Sequence, residues 1–350
     1  MKLKEDRSSP EFIKISHSSA VSLGLIRTWM YRGAKNRCIN LLVQYPEGCK
    51  ACCAYCGLSR KRPGSYEKKS FISVNWPIYP LEQIIAKIKE APSYVKRTCI
   101  SMITNKKCLD DTLYISERLI DETHLPLSIL ISPSIIKREY LEELKDIGVD
   151  MIGVAIDLAR PDLFDLYRGK GVKGPHRWKR YWDVLEDAIE IFKPYHVGVH
   201  LIVGMGESEK DMVNLMDRLW NMKVCNHLFS FFPEQGSVLS HRDQPPWDVY
   251  LRIQLARFLI EEGISDHRRM QFDQNGRIVD FGINFKELEE IISTGIPFMT
   301  TGCLGDDGQV ACNRPFGNCL PGPRQWNYPY RPNEEEIELI KKELLDSDYN

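Results

Sequence analysis

Residues 37–64 read RCINLLVQYPEGCKACCAYCGLSRKRPG. An apolar run of strand length, 37–44, leads straight into a loop that carries four cysteines. Five more segments of the same character follow at 97–103, 126–132, 150–156, 196–203 and 226–232. They are rich in Ile, Val, Leu and Phe without clean alternation, as expected of strands covered on both faces. Helical patterns separate them. Leu81, Ile84, Ile85 and Ile88 repeat at helical spacing, as do Met212, Leu215, Met216 and Leu219. Trp178, Tyr181, Trp182, Leu185, Ile189 and Phe192 keep one face as well.

Strands alternating with helices predict an α/β fold of right-handed βαβ units on a parallel sheet. Six units suit a partial (β/α)6 barrel better than a closed eight-fold one, with an open doubly wound sheet as the alternative. In either fold the active site lies beyond the C-terminal ends of the strands, where the first cysteine loop falls. Residues 1–36 are expected to be an extension packed on a core spanning 37–296. A separate segment, 297–350, is rich in Cys, Gly, Pro and Asn and ends in a helix over 333–346. Helices are also expected at 244–262 and 285–293, and a structural strand at 277–282.

The 350 residues are 43% hydrophobic and 27% charged, enough for one large domain or two small ones. A net charge of −1 gives no general attraction to nucleic acid or anionic membranes. The opening MKLKEDRSSPEF lacks an apolar core for a signal peptide, and no apolar run approaches roughly 18 residues. A cytoplasmic protein is expected. There are eleven cysteines, and in a reducing compartment the clustered ones point to metal ligation before disulfides. Arg60, Lys61, Arg62, Lys68 and Lys69 form a solvated loop or a patch for an acidic partner.

Cys49, Cys53 and Cys56 have the spacing C-x3-C-x2-C, with Tyr55 before the last. Thiolates suit iron–sulfur clusters, and three on one short loop reach three irons of a cube. The fourth iron then stays open for a molecule with an amine and a carboxylate. Zinc is the alternative, but it normally takes four ligands in paired knuckles. Cys52 also fits a knuckle with Cys49, or is a small residue in the turn.

The loop, the six-unit pattern and Tyr55 resemble the radical S-adenosylmethionine (SAM) superfamily, and within it biotin synthase and its relatives. TCISMITNKK at 98–107 resembles the second strand of biotin synthase, with Cys99 at its cysteine. HLIVGMGE at 200–207 resembles the motif that contacts adenine, with Ile202 as the apolar contact and Glu207 closing the turn. AIDLARPDLF at 155–164 resembles the region that holds the SAM ribose and methionyl groups, with Asp157 as the acceptor. The resemblance implies a [4Fe-4S] cluster on Cys49, Cys53 and Cys56, with SAM as cofactor near Tyr55. An Arg in the following helix, Arg177 or Arg180, is placed to pair the SAM carboxylate. Asp157 also reads as a helix cap, each Arg as a surface charge, and Gly204 and Gly206 as turn residues.

The tail, TTGCLGDDGQVACNRPFGNCLPGP at 300–323, holds Cys303, Cys312 and Cys319. A second iron–sulfur cluster, zinc, or plain loop cysteines are the readings. Cys38 and Cys225 read as core, Cys108 as a loop thiol, and His200 as core or pocket wall. The third and fifth strands, SILIS and VGVHL, lack the cysteines that biotin synthase uses for its own second cluster. Tail and loop instead resemble biotin synthase-related proteins of archaea and some bacteria, two of which together act as a lipoyl synthase. The resemblance implies a second, auxiliary [4Fe-4S] cluster and thiolation of a protein-bound octanoyl chain at C6 or C8. Its implied partners are an octanoylated lipoyl carrier, a second radical SAM protein and a ferredoxin or flavodoxin electron donor. Other reactions of the same cofactor, such as a biotin synthase-like reaction, methylation, rearrangement or tRNA thiolation, are the alternatives, with a non-catalytic metal scaffold as the third.

Overall fold

The computed structural model describes residues 7–72 and 74–345. Its centre is one eight-stranded sheet. The strands are Phe12–Ile15 (β1), Cys38–Val43 (β2), Ile78–Pro80 (β3), Arg97–Ser101 (β4), Leu127–Ile131 (β5), Met151–Asp157 (β6), Val197–Val203 (β7) and Cys225–Ser230 (β8). Their order is β3-β1-β2-β4-β5-β6-β7-β8. The run from β2 to β8 is parallel throughout and supplies the six expected strands. Among the described residues β8 and β3 are free edges, so the sheet stays open as a partial (β/α)6 barrel. Part of 1–36 joins the sheet directly, because β1 pairs antiparallel with β2 and with β3.

The helices are His17–Ser22 (α1), Leu81–Lys89 (α2), Cys108–Thr123 (α3), Arg138–Asp146 (α4), Pro161–Tyr167 (α5), Trp178–Ile191 (α6), Glu209–Asn221 (α7), Trp247–Glu261 (α8), Phe285–Thr294 (α9) and Glu334–Leu345 (α10). The periodic residues face inward as expected: Leu81, Ile84, Ile85 and Ile88 of α2 are buried, as are Met212, Leu215, Met216 and Leu219 of α7. A capping box between Ser208 and Asp211 starts α7 and satisfies two orphan backbone donors. Ile278–Asp280 forms a small hairpin with Gln271–Phe272. Helix α10 packs on α8 and α9. Among the described residues no helix is long and apolar enough to cross a membrane.

The two faces of the sheet differ, because successive side chains on a strand point to opposite sides. One face, under the helices, is apolar: Ile39, Leu41, Ile100, Ile129, Val154, Val199 and Leu228 are essentially fully buried. The inner face carries polar side chains among apolar ones. The register sets Asn40 beside Cys99, Cys99 beside Ser128, and His200 beside His227. Gly198 makes room for this lining, since a Cβ there would meet the His227 ring at 2.5 Å.

Candidate active site

The cysteine loop leaves β2 and is pinned across the C-terminal ends of its neighbours. The Lys50 amide donates to Thr104 beyond β4 (2.8 Å), the Ala54 amide to Tyr167 at the end of α5 (2.8 Å), and the Leu239 amide to Ala54 (3.0 Å). Gly48 has a φ of +64, and a Cβ there would strike the Tyr66 ring at 2.6 Å. Arg62 donates to the Gly57 carbonyl (2.9 Å) and the Ser70 hydroxyl (3.0 Å), while buried Lys69 donates to Ser59 (2.8 Å). Part of the basic cluster therefore braces the loop.

Cys49, Cys53 and Cys56 line one side of a cavity of about 200 Å³. Cys52 is buried outside it, with the Arg60 guanidinium 3.5 Å from its sulfur. Burial pushes the Cys53 thiol up to about 11 although the Arg168 charge pulls it down. Such a thiol ionises readily only against a cation, which a metal supplies. Among the described residues, no three His, Cys, Asp or Glu side chains stand at the spacing of a single-ion site. Thiolates on a cluster are held farther apart, one to each iron.

Asp157 faces the same cavity. It ends β6 with a φ of 67, where the pairing with β7 shifts register. Such an irregularity at a strand end re-aims a side chain. Its carboxylate accepts from the Tyr55 hydroxyl and pairs with Arg168 at 2.9 Å. Arg168 also donates to the Ile156 carbonyl (3.0 Å) and the Tyr181 hydroxyl (3.1 Å). His176 Nδ1 meets Ser134 Oγ at 2.7 Å and the Tyr181 hydroxyl at 3.0 Å. Burial, helped by the Arg168 charge, holds the His176 imidazole down at about 2, so it is neutral. The Arg168 Nε is fully buried and has no hydrogen-bond partner.

Ile202 and Tyr55 line the cavity with the thiols. Two expected contacts fall elsewhere. Arg180 is drawn to the carbonyls of Pro133 and Ile136, and Arg177 to those of Gly174 and His176. Neither reaches the cavity; Arg168, two residues before the short turn at Lys170–Val172, does. Glu207 accepts the amides of Gly204 (2.7 Å) and Met205 (3.0 Å) and so closes the turn rather than facing the cavity.

A second cavity of about 270 Å³ lies deeper along the inner face, toward the N-terminal ends of the strands. Asn40, Cys99, Ser128, Cys303, Cys312 and Arg314 line it. The two cavities share Ile72, Leu130, His200 and Phe229 as common walls. A tight tail hairpin, bridged at Leu304 and Val310, brings Cys303 and Cys312 together, both Ala311 and Cys312 donating to the Cys303 carbonyl. Gly302 permits this, since a Cβ there would lie 2.2 Å from the Cys312 carbonyl. Cys319 does not join them: its thiol lies 3.9 Å from the Asn327 carbonyl, outside the second cavity. Cys108 is buried and donates to the Ile103 carbonyl (3.1 Å).

The fold, with thiols and an Asp at the strand ends, defines a class that builds its site at the mouth of a partial barrel. The sequence model of the radical SAM superfamily matches residues 43–219, and the chain belongs to that superfamily. Among solved structures, it is similar to the [FeFe]-hydrogenase maturase HydG of Carboxydothermus hydrogenoformans, at 16% identity over 62% of this chain and 50% of that one, with a TM-score of 0.46. A second HydG structure gives 13% identity, 65% and 51% coverage and a TM-score of 0.49. The radical SAM methyltransferase TsrM of Kitasatospora setae gives 14%, 71% and 44%, with a TM-score of 0.39. The chain thus spans about half the length of these proteins. No curated protein matches it. Membership implies a [4Fe-4S] cluster and SAM. The donor set fits them: three thiols line a cavity that Asp157, Arg168 and the apolar Ile202 also line.

Proposed function

We propose that this chain inserts sulfur into an unactivated C–H bond, as one component of a two-protein lipoyl synthase acting at C6 or C8 of a protein-bound octanoyl chain. The observation that carries the reading is the shared wall. A cavity suited to radical generation abuts a second, thiol-lined one across Leu130, His200 and Phe229. A carbon held at that wall faces both.

Bound to Cys49, Cys53 and Cys56, a cluster with SAM supplies a 5′-deoxyadenosyl radical that takes a hydrogen atom from carbon. The chain's own residues orient the cofactor. The Arg168 guanidinium would pair the SAM carboxylate, Asp157 would accept from the ribose hydroxyls, and Ile202 would be the apolar contact for adenine. Tyr55 holds Asp157 in place. The second cavity is lined by Trp29, Met30, Tyr31 and Phe316. Trp29 is 96% exposed. Such a mouth suits an aliphatic arm presented by a carrier domain. An auxiliary [4Fe-4S] cluster held in the second cavity would be the sulfur source. The reading requires an octanoylated carrier, a second radical SAM protein and a ferredoxin or flavodoxin donor, in a reducing cytoplasm.

The test is anaerobic incubation of reconstituted protein, reductant and SAM with an octanoylated carrier peptide, alone and with the second protein. Mass spectrometry should show sulfur added to the peptide. An unchanged peptide under both conditions would sink the lipoyl reading.

A further inference from the structure

Three thiols from distant parts of the chain surround Cys312. Cys38 on β2 lies against it, and the Asn40 amide group approaches both sulfurs, at 3.5 Å for Cys38 and 3.6 Å for Cys312. Cys99 on β4 and Cys303 on the tail hairpin are its other sulfur neighbours. All four are free. Three of them face the second cavity, and Cys38 is fully buried behind Cys312.

The charges around the thiols point the same way. Arg314 lines this cavity with its guanidinium stacked 3.7 Å over the Phe229 ring and donating to the Thr301 carbonyl (2.8 Å). Among the described residues it has no carboxylate partner. Arg97 adds a second cation, buried and paired to Asp150. A guanidinium withdrawn from water with no carboxylate beside it is costly, and an anionic occupant removes that cost. The tail is also fastened where it delivers its two cysteines. Arg37 donates to the Val310 carbonyl (3.0 Å), and Asn313 donates to the Lys35 carbonyl (2.8 Å).

We propose that Cys38, Cys99, Cys303 and Cys312 hold a second iron–sulfur cluster, with Arg314 as its counter-charge and Cys319 outside the ligand set. Thiolates ringing a cavity, with a cation at its edge, suit a multi-iron anion better than one compact ion. That the cluster serves as the sulfur source rests on the function proposed above; the site itself stands on its thiols and Arg314.

Iron, sulfide and zinc should be measured in full-length protein with Cys49, Cys53 and Cys56 all replaced by Ala, which leaves only the second site. After reconstitution this variant should hold about four iron and four sulfide per chain if the cluster is a cubane. Adding Cys312→Ala should remove most of both, and Cys319→Ala should change neither. Cys99→Ser, one atom different, guards against misfolding: its circular dichroism should match the parent while the cluster's visible and Mössbauer spectra shift or vanish. Iron that survives loss of Cys99 and Cys312 together, iron lost in Cys319→Ala, or zinc without sulfide would overturn the site. A cluster that forms here while the octanoyl peptide gains no sulfur supports the site and defeats only the sulfur-insertion reading.

Discussion

The two cavities share walls, yet they are assembled in opposite ways. The first takes its thiols from one loop of eight residues, Cys49 to Cys56, laid across the strand ends. The second gathers β2, β4 and a tail hairpin, so that Asn40 meets Cys312 across 272 positions. The arginines differ too. Arg168 is paired to Asp157, whereas Arg314 has no carboxylate among the described residues. A contiguous loop can present its sulfurs as soon as the strands beneath it form. A site built from three segments exists only when the whole domain is closed.

The largest expected effect separates the sites. Cys53→Ala should abolish reductive cleavage of SAM, read as 5′-deoxyadenosine by chromatography, while the second site keeps its iron. Cys312→Ala should do the reverse, with 5′-deoxyadenosine still formed and no thiolated peptide. If both variants lose both products, the division of labour is wrong. A smaller effect compares the arginines in apo-protein by denaturant unfolding. Arg168→Met should cost about 3–5 kcal/mol, because it strands the buried Asp157 carboxylate. Arg314→Met should cost less than half of that, since no buried carboxylate is left behind. Equal losses would mean that Arg314 has a structural partner of the same weight.

The smallest effect belongs to the turn beside the first cavity. Burial pushes the Glu207 carboxyl up to about 7, from about 4.3 in an unfolded chain. The folded state therefore holds the proton more tightly. This contribution to stability is complete below the unfolded value and is lost as pH rises through 7. Glu207→Gln should flatten that decline between about pH 5 and 8 in a melting series, while leaving the iron content of both sites unchanged.

How much was legible follows the same division. The six parallel strands and the periodic faces of α2 and α7 were readable, because local hydrophobic spacing encodes them. That Cys49, Cys53 and Cys56 share one cavity was readable because they are contiguous, and that Asp157 and Ile202 line it because strand ends point at the barrel mouth. Arg177 or Arg180 was expected to turn inward, and Arg168 was not singled out. Which arginine turns inward depends on carbonyls, those of Pro133 and Ile136, that capture Arg180. Cys319 looked like the partner of Cys303 and Cys312 because it is near them in sequence; the chain carries it instead to the Asn327 carbonyl. A signal for the second site was present in Cys38-x-Asn40 and Arg97-x-Cys99-x-Ser101. These polar residues at alternate positions inside apolar runs mark one strand face as a polar lumen.

The central claim is that a radical made in one cavity is met by sulfur from the other. It is tested most directly by reconstituting the protein with heavy-isotope sulfide and incubating it with SAM, reductant, the second protein and the octanoylated peptide. Mass spectrometry should find heavy sulfur in the peptide, with 5′-deoxyadenosine formed alongside. Abundant 5′-deoxyadenosine with a peptide that carries no heavy sulfur would contradict the account.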